Sequence, residues 1–373
     1  MMHILMTGAT GFVGQRLCKR LHDDGHQVTA VSRDVVTAQR RLGQVPAITW
    51  EDLEEGGIPE GIDGVIHLAG ESVKGRWGAA KRRRVRESRI RTTRTVVGAI
   101  QRAEKPPEVF ISASGIGFYG DRGEELLVES AEAGDDYFAE LCVDWEAEAM
   151  LAAPRTRVVL SRLGIVLGLG GGAVEAMILP TSLGLGGPLG GGKQWWSWIH
   201  LDDVVGALMF MLTTESISGP VNVVAPESVR QKDFAVSLGR AMARPSLLPT
   251  PAFGLRLVLG DFAQEILSSK RVVPDVLQTA GFQYSYPDLD DALSHVMDKP
   301  APAHTWMPVL AAGTLGLAPY TPEPHLTGKI RWLLGGATGM QPVDWLDLLM
   351  HASPWMWLAW ALCLRLGTRW SLQ

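Results

Sequence analysis

The sequence predicts an α/β fold with a doubly wound parallel sheet, and three observations at its start predict it. Residues 3–6 form a short apolar run that leads directly into a GxxGxxG turn at 7–14. Apolar residues then recur at helical spacing over 12–24. A second apolar run at 27–31 follows Gly25, which stands where a helix C-cap belongs. A strand, a glycine turn, a helix and a strand in this order are the first unit of a Rossmann-type sheet.

Three later apolar runs extend the same pattern along the chain. They lie at 63–70, 108–114 and 157–160, and helical stretches at 79–103 and 136–152 separate them. Strands that alternate with helices of this length predict a parallel sheet with helices on both faces.

The chain of 373 residues is long enough for more than one domain. We expect a Rossmann domain over 1–245, which includes a glycine-rich cleft loop at 164–203. A small C-terminal helical domain on the substrate side should follow at 246–297. Residues 298–373 form a Trp-rich hydrophobic extension of unknown role.

Composition excludes several classes of protein. The net charge of -5 argues against a nucleic-acid binder, which would normally have a strongly basic domain. The three cysteines lie far apart, with no CxxC pair and no His/Cys cluster, so neither a metal site nor a disulfide framework is expected. Scattered cysteines fit a reducing compartment, and the N-terminal residues lack the features of a signal peptide. We therefore expect a cytoplasmic protein.

The glycine turn predicts a site for a dinucleotide. Backbone N–H groups at a helix N-terminus bind pyrophosphate, and residues without a Cβ allow it to approach closely. The second strand ends in Ser32 and Arg33. A carboxylate at this place would favour NAD, whereas an arginine accommodates the 2′-phosphate of NADP. Asp34 follows one residue later and leaves the NAD alternative open, as does an arginine that is merely solvated.

A run of basic residues at 74–94 has ten Lys and Arg against a single acid, Glu87. Such a run could indicate nucleic-acid binding. However, Trp77 is the only aromatic residue in the run, and the whole chain has a net negative charge. A long helix with a solvated basic face and one or two phosphate ligands is the better interpretation.

Five motifs stand out along the chain: MTGATGFVG at 6–14, HLAGESV at 67–73, SASGIGFYG at 112–120, FAELCVDWE at 138–146 and QWWSWIHLDD at 194–203. Together they resemble the extended and atypical branch of the short-chain dehydrogenase/reductase superfamily. Within it they are similar to the epimerase family whose members are often described as nucleoside-diphosphate sugar epimerases or cell-division-inhibitor-like proteins. The resemblance covers about residues 1–297.

This resemblance implies that the chain binds NADP(H). The residues implied as cofactor contacts come from the glycine turn, the end of the second strand and three later segments: Gly8, Thr10, Gly11, Phe12, Val13, Gly14, Ser32, Arg33, Leu68, Ala69, Gly70, Arg89 and Leu167. Among these, Arg89 would reach a cofactor phosphate and Leu167 would close over the nucleotide.

The Tyr-x-x-x-Lys pair that most members of the superfamily use is absent. None of the five tyrosines has a lysine four residues later, and no lysine occurs between Lys105 and Lys193. Phe138 and Cys142 stand at the positions where the tyrosine and the lysine of this pair are expected. This branch of the superfamily is known for lacking the pair.

Substitute acid–base groups are Ser114, Tyr119 and His200, and we hypothesise that Ser114 and His200 polarise a substrate carbonyl. The alternative for each is a polar residue satisfied in a buried network. The tryptophans at 195, 196 and 198 either wall a substrate pocket, which we favour, or cover the core.

The extension after residue 297 is poor in charge and holds seven of the thirteen tryptophans. The uncharged stretch 301–322 contains four prolines, and the stretch 348–364 contains Pro354, so a spanning helix is improbable. Packing on the body, a homo-oligomer contact, and peripheral membrane contact through 330–373 are the alternatives, in that order of preference.

Two functions are consistent with the sequence. The first is an NADP(H)-dependent oxidoreductase or epimerase of atypical mechanism that acts on an unknown small molecule. The second is a catalytically silent NADP(H)-binding protein that senses redox state or regulates a partner, in cell division for example.

Overall fold

A computed structural model describes residues 1–43, 45–298, 330–331, 344–345 and 347–358. The chain divides into two compact units, Met1–Met297 and Asp298–Gln373. In the second unit residues 347–358 are helical, through Pro354. No helix within these described ranges is long and apolar enough to cross a membrane. The predictions for 301–322 lie outside the described residues, and those for 330–373 lie largely outside them.

The strands of the first unit are short, and most belong to one sheet. In chain order they are β1 (His3–Thr7), β2 (Gln27–Val31), β3 (Ala47–Ile48), β4 (Gly64–His67), β5 (Val109–Gly115), β6 (Leu126–Leu127), β7 (Arg157–Leu163), β8 (Ile165–Leu167), β9 (Trp195–Trp196), β10 (Trp198–His200), β11 (Gly219–Val223), β12 (Val229–Arg230) and β13 (Arg271–Val272).

Helices connect these strands. In chain order they are α1 (Phe12–Asp23), α2 (Val35–Leu42), α3 (Trp50–Gly56), α4 (Ala79–Arg102), α5 (Tyr137–Met150), α6 (Gly172–Ser182), α7 (Leu201–Thr213), α8 (Gln231–Ala241), α9 (Ala252–Leu259), α10 (Phe262–Leu267), α11 (Asp275–Thr279) and α12 (Leu289–Asp298). A 3₁₀ turn, Ile116–Tyr119, follows β5.

The central sheet has seven parallel strands in the order β11-β7-β5-β4-β1-β2-β3. Alternate residues of one strand enter different cores: Ile4 and Met6 pack with α1 and α7, whereas Leu5 packs with α4 and α5. This alternation buries both faces of the sheet, so the predicted doubly wound α/β fold is confirmed.

Strand β4 is shorter than the apolar run 63–70, since it begins at Gly64 and ends at His67. The chain then turns over the end of β1: the Leu68 N–H donates to the Thr7 carbonyl at 3.2 Å, and the Ala69 N–H donates to Thr7 Oγ1 at 3.2 Å. Residues 68–70 are therefore brought against the glycine turn.

The expectation that the clustered tryptophans wall a pocket is wrong for two of them. Trp196 and Trp198 are 3% and 1% exposed and pack in a core with Phe234 and Leu238. The guanidinium groups of Arg230 and Arg271 instead lie over the Trp195 ring.

The segment after residue 245 contains β13, which pairs with β6 in a separate two-stranded sheet. Further hydrogen bonds join it to the earlier chain: Asn222 Nδ2 donates to the Val273 carbonyl at 2.9 Å, and the Ser285 N–H donates to Asp203 Oδ1 at 2.7 Å.

Candidate dinucleotide site

The glycine turn lies between β1 and α1 and is too crowded for side chains at two positions. Gly8 has a φ of +69°, and a Cβ there would lie 2.6 Å from the Leu68 carbonyl carbon. A Cβ at Gly14 would lie 2.2 Å from the Gly8 oxygen. Since α1 begins at Phe12, the first N–H groups of the helix point out of this turn without an intrahelical partner. This geometry fits a bound pyrophosphate.

Asp34, the carboxylate after β2 that left NAD open as an alternative cofactor, caps a helix. Asp34 is the N-cap of α2: it accepts the Thr37 N–H at 3.0 Å and the Thr37 hydroxyl at 2.6 Å. These hydrogen bonds lower the pKa of Asp34. Arg33 is exposed and Ser32 is half-buried at the same strand end. The arrangement favours recognition of a phosphate over recognition of a ribose diol.

A buried histidine joins β1, β4 and α4 beneath the turn. His67 Nδ1 lies 2.7 Å from Thr7 Oγ1, and its Nε2 lies 3.1 Å from Thr93 Oγ1. The Thr93 hydroxyl donates to the Arg89 carbonyl and also accepts from Trp145 Nε1. Thr93 therefore accepts from His67 as well, which assigns the proton to Nε2 of the imidazole. Burial lowers the pKa of His67 to about 3, so the ring is neutral.

Arg89 is the one predicted phosphate contact on α4, and its side chain is half-buried. Its Nη1 donates to the carbonyls of Glu71 and Val85 at 3.2 and 3.3 Å, and its guanidinium lies over the Trp145 ring. A Cβ at Gly70 would lie 3.3 Å from Arg89 Cζ. Burial lowers the pKa of Arg89, and among the described residues no carboxylate forms an ion pair with it. A half-buried cation without an ion pair favours a bound anion, and a cofactor phosphate fits.

Most of the other basic residues in the run 74–94 have acidic partners nearby. The ion pairs are Lys74–Glu175, Lys81–Glu71, Arg82–Asp261, Arg83–Glu87, Arg86–Asp144 and Arg94–Glu148. Residues 79–94 of the run lie on the long helix α4, as the sequence predicts. Ion pairs locally neutralise most of the charges that the sequence left as a solvated basic face.

Ser114 and Tyr119, two predicted catalytic residues, belong to one buried network. The Ser114 hydroxyl donates to Glu146 Oε1 at 2.7 Å, and Arg162 Nη1 donates to the Tyr119 oxygen at 3.0 Å. Glu146 and Arg162 join the two through an ion pair, and Tyr119 donates to Asn222 at 2.7 Å. Ser114, Arg162 and Asn222 lie side by side at the carboxyl ends of β5, β7 and β11.

The positions expected for the Tyr–Lys pair lie on α5, next to the turn after β5. A Cβ at Gly117 would lie 3.4 Å from Phe138 Cβ and 3.7 Å from Cys142 Sγ. Burial raises the pKa of Cys142 to about 12, so this group is a neutral thiol. Neither residue supplies the proton transfer of the missing pair.

The third predicted catalytic residue, His200, lies in a different cluster. It is 2% exposed and its Nδ1 accepts the Asp202 N–H at 3.1 Å as the N-cap of α7. Its Nε2 lies 3.1 Å from His295 Nδ1, and Tyr286 stacks beside both rings. One ligand atom from each of His200, Asp202 and His295 lies within 4.8 Å of the others, which is compatible with a metal ion. However, an Nδ1 that accepts an N–H leaves the proton on Nε2, so the hydrogen bond between the histidines explains their approach.

Leu167 pairs with His200 between β8 and β10 and is fully buried with Trp196 and Trp198. The residues just after it approach the helix that follows the glycine turn: a Cβ at Gly171 would lie 2.4 Å from the Phe12 ring. The segment 168–172 therefore reaches the N-terminus of α1, and the role predicted for Leu167 stays a prediction.

The structure thus brings most predicted cofactor contacts to one edge of the sheet, and His200 belongs to a different hydrogen-bonded cluster from Ser114. Sequence reasoning missed the polar residues Glu146, Arg162, Asn222, Glu265, Lys270 and His295. The spacing of Glu146 could have shown it, because residues 138, 142 and 146 lie on one face of a helix.

The fold and this site define a Rossmann-type α/β protein with a dinucleotide cradle at the carboxyl edge of its sheet. A model of the NAD dependent epimerase/dehydratase family matches residues 4–224, and a domain of unknown function, DUF1731, matches residues 250–296. The chain therefore belongs to the NAD-dependent epimerase/dehydratase family.

Individual relatives resemble this chain over the same region. The epimerase family protein SDR39U1 of Bos taurus is 39% identical over 302 residues, which are 79% of this chain and 100% of the relative. The epimerase family protein YfhF of Bacillus subtilis is 37% identical, over 79% of this chain and 98% of the relative.

Two solved structures are also similar. The crystal structure of human SDR39U1 with NADPH has a TM-score of 0.75 and 36% identity, and covers 80% of this chain and 100% of that one. A nucleoside-diphosphate sugar epimerase from Corynebacterium glutamicum has a TM-score of 0.63 and 26% identity, over 95% of this chain and 66% of that one.

Proposed function

We propose that the protein binds NADP(H) and acts as an oxidoreductase or epimerase without a Tyr–Lys pair. The observation that carries the proposal is Arg89, a half-buried cation beside Gly70 with no ion-pair partner among the described residues. The NADPH in the crystal structure of the human relative supports the same cofactor.

Within this proposal each part of the cradle has a role. The N–H groups at the start of α1 bind the pyrophosphate, Arg89 binds a phosphate oxygen, and Ser32 with Arg33 holds the 2′-phosphate. The bound cofactor supplies hydride transfer. The chain positions the substrate and moves its proton, and Ser114, Tyr119 and His200 stay candidates for that step.

The choice between NADP(H) and NAD(H) is tested at Arg33. We expect Arg33→Met to weaken NADPH binding about tenfold, since a charge-assisted hydrogen bond contributes about 1.5–3 kcal/mol, and to leave NADH binding unchanged. Isothermal titration of both cofactors measures this. Equal losses for NADPH and NADH would contradict the 2′-phosphate role.

Turnover is tested by a substrate screen that follows the nicotinamide absorbance, after the cofactor of the isolated protein has been identified by mass spectrometry. For a substrate found in this way, unchanged turnover in both Ser114→Ala and His200→Ala would refute the carbonyl-polarising hypothesis. Failure to bind NADP(H) at all would refute the proposed function.

A second candidate, a catalytically silent NADP(H)-binding regulator, is favoured by one observation. Phe138 and the neutral thiol of Cys142 occupy the positions of the usual acid–base pair, and the Ser114 hydroxyl is already engaged by Glu146. Cofactor binding without turnover, together with a stoichiometric partner in a pull-down, would support this candidate over the first.

A further inference from the structure

An ion pair from the C-terminal part of the first unit reaches the turn after β5. Glu265 Oε1 would lie 3.7 Å from a Cβ at Gly117, at the same point that Phe138 and Cys142 approach. Glu265 Oε2 lies 3.1 Å from Lys270 Nζ. The Glu265 side chain is 21% exposed, whereas that of Lys270 is 4% exposed, so the carboxylate is the accessible member of the pair.

The lysine is held firmly in place. Its Nζ also donates to Ser268 Oγ, its N–H donates to the Trp195 carbonyl at 3.1 Å, and its carbonyl accepts from Ser197 Oγ at 2.8 Å. A lysine that is anchored by its backbone and nearly inaccessible to water is suited to orient the carboxylate rather than to contact a ligand itself.

The order of the strands places this pair relative to the cofactor cradle. Arg33, at the end of β2, marks the adenosine side, and the pyrophosphate lies on the turn after β1. The other half of a dinucleotide must therefore extend in the opposite direction, over the carboxyl ends of β4 and β5. Gly115–Gly117 is the chain that leaves β5 at this point.

We propose that Glu265, oriented by Lys270, faces the nicotinamide end of the cofactor site and supplies a carboxylate at the place left by the missing Tyr–Lys pair. The charge of Glu265 reaches this place, because it contributes to the raised pKa of the Cys142 thiol after burial and Glu146. The inference depends on the proposed NADP(H) binding. Lys270 is a positioning residue in it.

The oxidised nicotinamide ring carries a positive charge that the reduced ring lacks, which allows a test without a known substrate. A carboxylate that faces the ring stabilises NADP⁺ relative to NADPH. In full-length protein, Glu265→Gln should lower the ratio of NADP⁺ to NADPH affinity about fivefold, as expected for unit charges about 8 Å apart that are partly screened by water. Lys270→Met should raise the same ratio.

Two controls keep the test decisive. Glu148→Gln removes a carboxylate of an ion pair on α5 that faces Arg94, and it should leave the ratio unchanged. The double variant Glu265→Gln/Lys270→Met removes both charges, so it should return to the wild-type ratio and fold even where a single variant leaves a buried charge unpaired.

The outcomes separate this inference from the function on which it depends. Wild-type protein that binds neither form of the cofactor refutes the proposed function. Two results, measured by titration calorimetry at constant salt, refute the placement of Glu265. One is wild-type binding with an affinity ratio that Glu265→Gln leaves unchanged, and the other is a double variant whose ratio differs from the wild-type ratio.

Discussion

Glu146 and Arg162 form an ion pair in which Nε and Nη2 of the arginine donate to the two carboxylate oxygens at 2.9 and 2.8 Å. Their side chains are 8% and 4% exposed, and the guanidinium lies 3.4 Å from the centre of the Phe118 ring. Removal of one partner leaves the other charge buried and unpaired. We expect Glu146→Gln to lower the free energy of unfolding by about 3–5 kcal/mol, measured by urea denaturation.

A second glutamate on α5, Glu148, forms an ion pair that serves as a comparison. Glu148 bonds Arg94, whose side chain is 69% exposed. Glu148→Gln should therefore cost about 1 kcal/mol or less. Similar losses in the two variants would show that the buried network does not stabilise the sheet's carboxyl edge.

The glycine turn predicts a second result. Gly14→Ala places a methyl group against the Gly8 oxygen, so we expect a loss of about 1–3 kcal/mol in unfolding free energy from overpacking. NADPH affinity should fall at least about tenfold, because the distorted turn loses hydrogen bonds of about 1.5–3 kcal/mol each to the pyrophosphate. Gly56→Ala, with open space at its Cβ, should preserve binding.

A substitution at Arg89 tests whether this residue binds the cofactor or stabilises the fold. Arg89→Met should reduce NADPH affinity about tenfold or more by removing a charge-assisted hydrogen bond, while unfolding free energy changes by less than about 2 kcal/mol. Arg91→Met, an exposed change on the same helix, should leave affinity unchanged. If the two variants bind NADPH equally well by fluorescence titration, Arg89 does not contact the cofactor.

The buried His67 predicts a dependence of stability on pH. Its folded pKa of about 3 lies below the unfolded value of about 6.5, so the unfolded chain binds the proton more readily between these values. The contribution of neutral His67 to the free energy of unfolding is complete above about pH 6.5. As the pH falls towards the folded pKa, this free energy decreases by about 1.4 kcal/mol per pH unit. Urea titrations at pH 7 and pH 5 measure it.

The variant His67→Gln cannot take up a proton at this position. It should start from a lower stability at pH 7, since the contacts to Thr7 and Thr93 change, but it should lose less than wild type on acidification. An identical slope in both proteins would mean that His67 does not titrate as its burial requires.

The parts of the molecule that could be predicted from sequence are those with local signals. The turn 7–14, the basic helix α4 and the absence of a Tyr–Lys pair each follow from residues close together in the chain. Ser114 and Arg162 meet only because β5 and β7 are neighbours, and Glu265 reaches Gly117 from 148 positions away. Single carboxylates on helices look like surface residues until tertiary packing buries them, so their partners could not be deduced.

The pairing of β13 with β6 has a consequence for how the protein is made. Leu126 and Leu127 pair with Arg271 and Val272, which are synthesised about 145 residues later. Contacts of such long sequence separation form slowly, because the intervening loop must close first. In a nascent chain that has emerged only to residue 245, β6 has no β13 to pair with. The first unit therefore completes its fold only after its last helix has left the ribosome.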